Sequence, residues 1–131
     1  MSQGKILIID DEEDVREVLR IHLESAGFHV IEADNGEMGI ATLQSEDNMV
    51  NVGLILCDIR MPKVNGMECV DFLMREAPGI PVVIVTGYPD TNMAMSLLKK
   101  GVKDYLVKPV TKEKLMDVVD ERVAAGKDIG L

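Results

Sequence analysis

The sequence predicts an α/β fold: a doubly wound, five-stranded parallel sheet with helices on both faces. Two observations carry this. Short apolar runs ("KILIID", "HVIEA", "VGLILCD", "PVVIVT", "DYLVK") alternate with segments whose apolar residues recur at helical spacing. The first, third and fourth runs are nearly continuous in Val, Ile and Leu, as strands covered on both faces require. Strands that alternate with helices pair in parallel, and right-handed crossovers place the helices on both sides.

Each element has its own justification. After the first strand, Val15, Val18, Leu19, Leu23 and Ala26 share one helical face, and Gly27 stops the helix. His22 lies at the boundary of that face, and His29 opens the second strand as an exposed residue. A helix over 35–44 carries Met38, Ala41 and Leu43, although Gly36 and Gly39 weaken its pattern. The segment "QSEDNMVNV" is long for a connection, so this helix is expected to end late or leave a loop. A third helix over 67–76 buries Val70, Leu73 and Met74 before "APGIP" ends it. The fourth, over 90–100, presents Ala94, Leu97 and Leu98 and closes at Gly101. Thr111 is the N-cap of the fifth, whose buried face is Leu115, Val118, Val119 and Val123. One domain is expected over 1–125, with 126–131 a flexible tail or the start of a linker.

Composition narrows the function. A chain of 131 residues, 47% hydrophobic, can bury a core and leaves little room for long disorder. A net charge of -9 argues against a nucleic-acid surface and against anionic membranes, which need a basic face. No apolar run is long enough to cross a bilayer, and "MSQGK" lacks the layout of a signal peptide, so a cytoplasmic protein is expected. Cys57 and Cys69 form no C-x-x-C pair and have no nearby His cluster, so neither is expected to have a redox or metal role, and Cys57, in an apolar run, reads as a core residue.

The polar residues at the strand ends point to chemistry. Asp10 and Asp11 close the first strand, Asp58 the third, Thr86 the fourth and Lys108 the fifth. In open α/β sheets that carboxyl edge is where ligands bind, at the point where strand order reverses. With the order 2-1-3-4-5, the first and third strands are neighbours, and Asp10, Asp11 and Asp58 converge. Such acids repel by about 4 kcal/mol per pair at ~4 Å and an effective dielectric of ~20. A hard cation with oxygen ligands, Mg²⁺ or Mn²⁺, would compensate them. Asp58 could then attack a phosphoryl group, with Lys108 and the metal neutralising charge and Thr86 donating a hydrogen bond.

The motifs "DDEED", "CDIRMPKVNG", "VTGY" and "DYLVKP", in this order, resemble the receiver domain of two-component response regulators. The resemblance covers about residues 5–125, and it implies a flavodoxin-like, CheY-like fold. It implies that Asp58 is the phosphoacceptor, charged by a histidine kinase or a phosphotransfer protein. It makes Asp11, Asp58 and the backbone carbonyl of Arg60 metal ligands, with Asp10 acting through a bound water. Thr86 and Lys108 match the phosphoryl-binding pair, Tyr105 matches the switch aromatic, and the Lys108–Pro109 bond is expected to be cis. In the family's switch, Thr86 moves toward the phosphoryl oxygens and Tyr105 rotates into the space left behind. The surface of the fourth helix, fifth strand and fifth helix then changes, to control an output domain, a partner protein or a homodimer formed on phosphorylation. Here that face would include Met93, Met95, Lys99, Tyr105 and Lys112.

Simpler readings exist for each residue alone. Acids at a helix start favour the helix dipole, which is the better account of Glu12, Glu13 and Asp14. Arg60 and Tyr88 stand two residues past Asp58 and Thr86, where they either tune phosphoryl lifetime or are inert surface. Leu97 and Val102 replace the family's frequent alanines, a matter of packing. The rival function is a haloacid-dehalogenase-like phosphatase with Asp58 as nucleophile. Its D-x-D motif needs an acid where this chain has Arg60, which cannot donate a proton at neutral pH. The expected role is therefore signalling by phosphoacceptance, not catalysis on other substrates.

Overall fold

The computed structural model describes residues 4–45, 47–59 and 66–129, with side chains given from Met67 in the last segment and up to Arg122. Five parallel strands form one sheet in the order β2-β1-β3-β4-β5: β1 (Lys5–Ile9), β2 (His29–Ala33), β3 (Val52–Cys57), β4 (Val82–Thr86) and β5 (Asp104–Val107). The helices are α1 (Glu13–Ser25), α2 (Gly36–Gln44), α3 (Gly66–Glu76), α4 (Thr91–Lys100) and α5 (Lys112–Ile129). The expected α/β fold and strand order are those observed. The long connection before β3 contains a single helical turn, Asn48–Asn51, whose buried Asn48 donates to the Thr42 carbonyl and accepts from Lys5 Nζ. The last helix runs to Ile129.

Strand alternation divides the core in two. Leu7, Ile9, Ile55, Cys57, Val82 and Ile84 face α2, α3 and α4, through Leu43, Val70 and Leu97. Ile6, Ile8, Leu54, Leu56, Val83 and Val85 face α1 and α5, through Leu19, Leu23, Leu115 and Val119. Adjacent strand residues point to opposite faces, so strands buried on both sides must be apolar throughout. Cys57 and Cys69 are both buried and free, in the same layer. A hydrogen bond with Cys69, reinforced by burial, pushes the Cys57 thiol well above its usual pKa.

Helix ends follow local chemistry. The side chains of Asn35 and Asp90 accept from the amides of Met38 and Met93. Thr111 Oγ1 accepts from the Lys114 amide, the cap expected for the last helix. Gly101 closes α4 at φ 118°, a left-handed conformation that costs glycine no Cβ clash. The Lys108–Pro109 peptide is cis. Among the described residues no helix is long and apolar enough to cross a membrane.

Candidate functional site

The site is built on strand register. Ile9 on β1 lies opposite Cys57 on β3, so the residues that follow, Asp10 and Asp58, leave the sheet side by side. The Asp58 amide donates to the Ile9 carbonyl at 2.9 Å, and the Asp10 amide to the Ala33 carbonyl at 3.0 Å. These bonds continue the sheet one residue beyond its strands and fix both acids. Asp10 and Asp58 are only 2% and 3% exposed. Acids are rarely so buried without a partner.

Carboxylate oxygens of Asp10, Asp11, Glu12 and Asp58 all lie within 4.8 Å of one another. Three of these acids are those the sequence singled out. Glu12, which the helix dipole alone would explain, also brings its carboxylate into the cluster. Glu12 is the N-cap residue of α1 but makes no side-chain capping bond, which frees it to turn toward the other acids. Nothing in its spacing separates it from its neighbours in the acidic run, because a helix dipole accounts for all of them equally.

Lys108 reaches the cluster from the end of β5. Its ammonium lies 2.8 Å from Asp10 Oδ2, 2.9 Å from Asp58 Oδ2 and 3.4 Å from Glu12 Oε1. Burial acts to lower the Lys108 pKa, but the hydrogen bonds and charges of Asp10 and Asp58 outweigh it and raise the value well above the usual range. The ammonium therefore stays protonated. Asp10 shows the opposite balance. Desolvation raises its pKa, and the bonds from Lys108 and the Glu12 amide reduce the rise without cancelling it.

Thr86, fully buried, ends β4, and its carbonyl accepts from the Lys108 amide at 2.8 Å. Its Oγ1 accepts from the Tyr88 amide at 3.1 Å, leaving the hydroxyl proton to donate elsewhere. Tyr105 pairs with Ile84, two residues before Thr86, and its ring packs on the α2–α4 side of the core. Its hydroxyl oxygen is buried and has no hydrogen-bond partner among the described residues. Tyr88 is exposed. Arg60, whose carbonyl is the third expected metal ligand, lies outside the described residues, as do Met61 and Pro62 of the quoted motif.

The donor set suits a hard divalent cation. Four carboxylates face one ammonium, every donor is oxygen, and Asp10 already resists ionisation. A site with that excess of negative charge can hold a metal ion, and it can direct a carboxylate at an electrophile such as a phosphoryl group.

Comparisons with known proteins identify the family. The family model described as the response regulator receiver domain matches residues 6–120. The chain is similar to the transcriptional regulatory protein GlrR of Escherichia coli, with 31% identity over 116 residues, 88% of this chain and 25% of that protein. It is 34% identical over 118 residues to the C4-dicarboxylate transport transcriptional regulatory protein DctD of Pseudomonas aeruginosa, covering 90% of this chain and 25% of the relative. The chain thus spans about a quarter of the length of these curated relatives. The crystal structure of a response regulator receiver domain protein from Clostridium thermocellum superposes with a TM-score of 0.88 at 29% identity, covering 96% of this chain and 98% of that one. A family match over residues 6–120, with a structural match of this extent, leaves one conclusion: the chain belongs to the response regulator receiver domain family.

Proposed function

We propose that Asp58 accepts a phosphoryl group from a histidine kinase or phosphotransfer protein. One observation supports this above others: the buried Asp58 carboxylate lies both within the acid cluster and 2.9 Å from the Lys108 ammonium. In the transfer, an Asp58 oxygen forms the new O–P bond as the donor's bond to phosphorus breaks. Lys108 counters charge on the phosphoryl oxygens, and the Thr86 hydroxyl donates to them. Asp11, Asp58 and the Arg60 carbonyl would hold Mg²⁺, or Mn²⁺ in its place, with Asp10 reaching the ion through a water. The bound cation supplies further neutralisation of those oxygens.

The consequence is a switch, not turnover of other substrates. Thr86 and Tyr105 would move together on phosphorylation, and the α4-β5-α5 face would change with them. Exposed Met93, Met95, Leu98 and Val107 on or beside that face suit contact with an output domain, a partner protein or a second phosphorylated copy. The receiver unit spans 1–125, acts in the cytoplasm and signals by contact.

Incubating the chain with Mg²⁺ and acetyl phosphate should add one phosphoryl group by mass, and Asp58→Asn should abolish the addition. An unmodified native chain would overturn the acceptor reading. Hydrolysis of phosphomonoesters through Asp58 would favour the phosphatase instead.

A further inference from the structure

Arg16 sits in the first turn of α1, where the helix dipole favours acids and disfavours a cation. Its side chain is nonetheless only 16% exposed, so other contacts hold it there. Nε donates to Glu32 Oε1 on β2 at 3.1 Å, and Nη1 donates to the backbone carbonyl of Asp10 at 2.7 Å. Arg20 binds the second oxygen of Glu32 at 3.1 Å, so the acid that anchors Arg16 is itself fixed.

The carbonyl is the last polar atom of Asp10 to be fixed. Its amide is bonded to Ala33, Oδ1 to the Glu12 amide and Oδ2 faces Lys108. The carbonyl also belongs to the rigid peptide plane that leads into Asp11. Asp11 is exposed, and among the described residues its side chain makes no hydrogen bond of its own. Among the described residues, its backbone alone sets its place in the acid cluster.

We infer that Arg16 is a positioning residue: by clamping the Asp10 carbonyl between β2 and α1, it sets where Asp11 offers its carboxylate to a divalent cation. This rests on the metal reading above. A planar guanidinium can bind the carbonyl and Glu32 at once in a fixed fork, which a lysine cannot do.

The sign of the effect separates positioning from simple charge. Arg16 is a cation near a cation site, so deleting it should tighten Mg²⁺ binding through space. Lost positioning should weaken it. The test is calorimetric titration of metal-free protein with Mg²⁺, with the Tm of each variant measured in EDTA. Arg16→Ala is expected to bind Mg²⁺ about tenfold more weakly, the size of loss usual for an outer-sphere orienting group. Arg16→Lys should fall between Arg16→Ala and wild type. A lower Tm with unchanged or tighter Mg²⁺ binding would reduce Arg16 to a staple between α1 and β2, and overturn the inference. Should Arg16→Ala fail to fold, Arg16→Lys decides alone: it keeps the charge and loses the fork, so wild-type affinity would overturn the inference. Asp11→Ala is the control. If wild type binds and Asp11→Ala does not, a normal Arg16 variant sinks only the clamp. If wild type binds no Mg²⁺, the metal reading falls and the clamp with it.

Discussion

At the scale of single residues, Asp10 is held in place at a cost to stability. Burial, its dominant influence, raises its pKa in the folded chain, so the folded state takes up a proton more readily than the unfolded one. That contribution is full below the unfolded pKa and is lost as pH rises through the folded value. Ionised Asp10 therefore weakens the metal-free fold at neutral pH. Lys108, also raised, has its stabilising effect intact at neutral pH and loses it only in alkali, as pH passes its folded value. Asp10→Asn should thus stabilise the metal-free chain at neutral pH. Like charges at ~5 Å and an effective dielectric of ~20 repel by about 3 kcal/mol per pair, and Lys108 offsets much of this, so a gain of about 1 kcal/mol is expected. Melts in EDTA across a pH series should show the gap closing as pH falls through the folded Asp10 value. No stabilisation at neutral pH would mean that Lys108 fully compensates the buried charge. The residue types at the strand ends made Asp10 and Asp58 legible in advance. Glu12 and Arg16 were not, because their roles depend on where a flexible side chain turns.

At the scale of elements, α2 shows how a weak pattern can conceal close packing. Its glycines lower helix propensity, and Met38 and Ala41, expected on the buried face, are exposed. The buried positions are Gly36, Gly39 and Leu43. A Cβ on Gly39 would lie 2.6 Å from Ile9 Cδ1 and 2.9 Å from Ile9 Cγ1. Ile9 is fully buried and stiff at χ1, and it directly precedes Asp10. Gly39→Ala should therefore destabilise by about 1–2 kcal/mol, overpacking outweighing a propensity gain near 1 kcal/mol. Ile9→Val removes the closest atom and should recover part of that loss in a double-mutant cycle of chemical denaturation. Additive effects would mean that the helix shifts instead. The periodicity of α1 and α4 named the correct faces but not their edges. Val18 and Leu98 are each 47% exposed, since a spacing rule cannot say how far the sheet extends beneath a helix.

At the scale of the whole molecule, the strand order makes the site. Placing β1 beside β3 unites acids 48 positions apart in the chain (58 − 10), and β5 brings Lys108 across from the sheet's far edge. A fold that concentrates acids in this way should gain stability from the cation that neutralises them. At tenfold over its dissociation constant, Mg²⁺ should stabilise the chain by about 1.4 kcal/mol, or about 5 °C in Tm. Asp11→Ala should abolish that shift in a thermal melt, and an undiminished shift would place the ion elsewhere. The α/β class, the five strands and the polar residues that close four of them are legible in the order of amino acids alone, because burial on two faces imposes continuous apolar runs and leaves charge to their ends. Which oxygens meet is settled in the folded chain: Glu12 joins the cluster, Lys108 touches three acids, and Arg16 holds the carbonyl of Asp10. Those contacts arise from rotamers and strand register, which act across the sheet and leave no period along the chain.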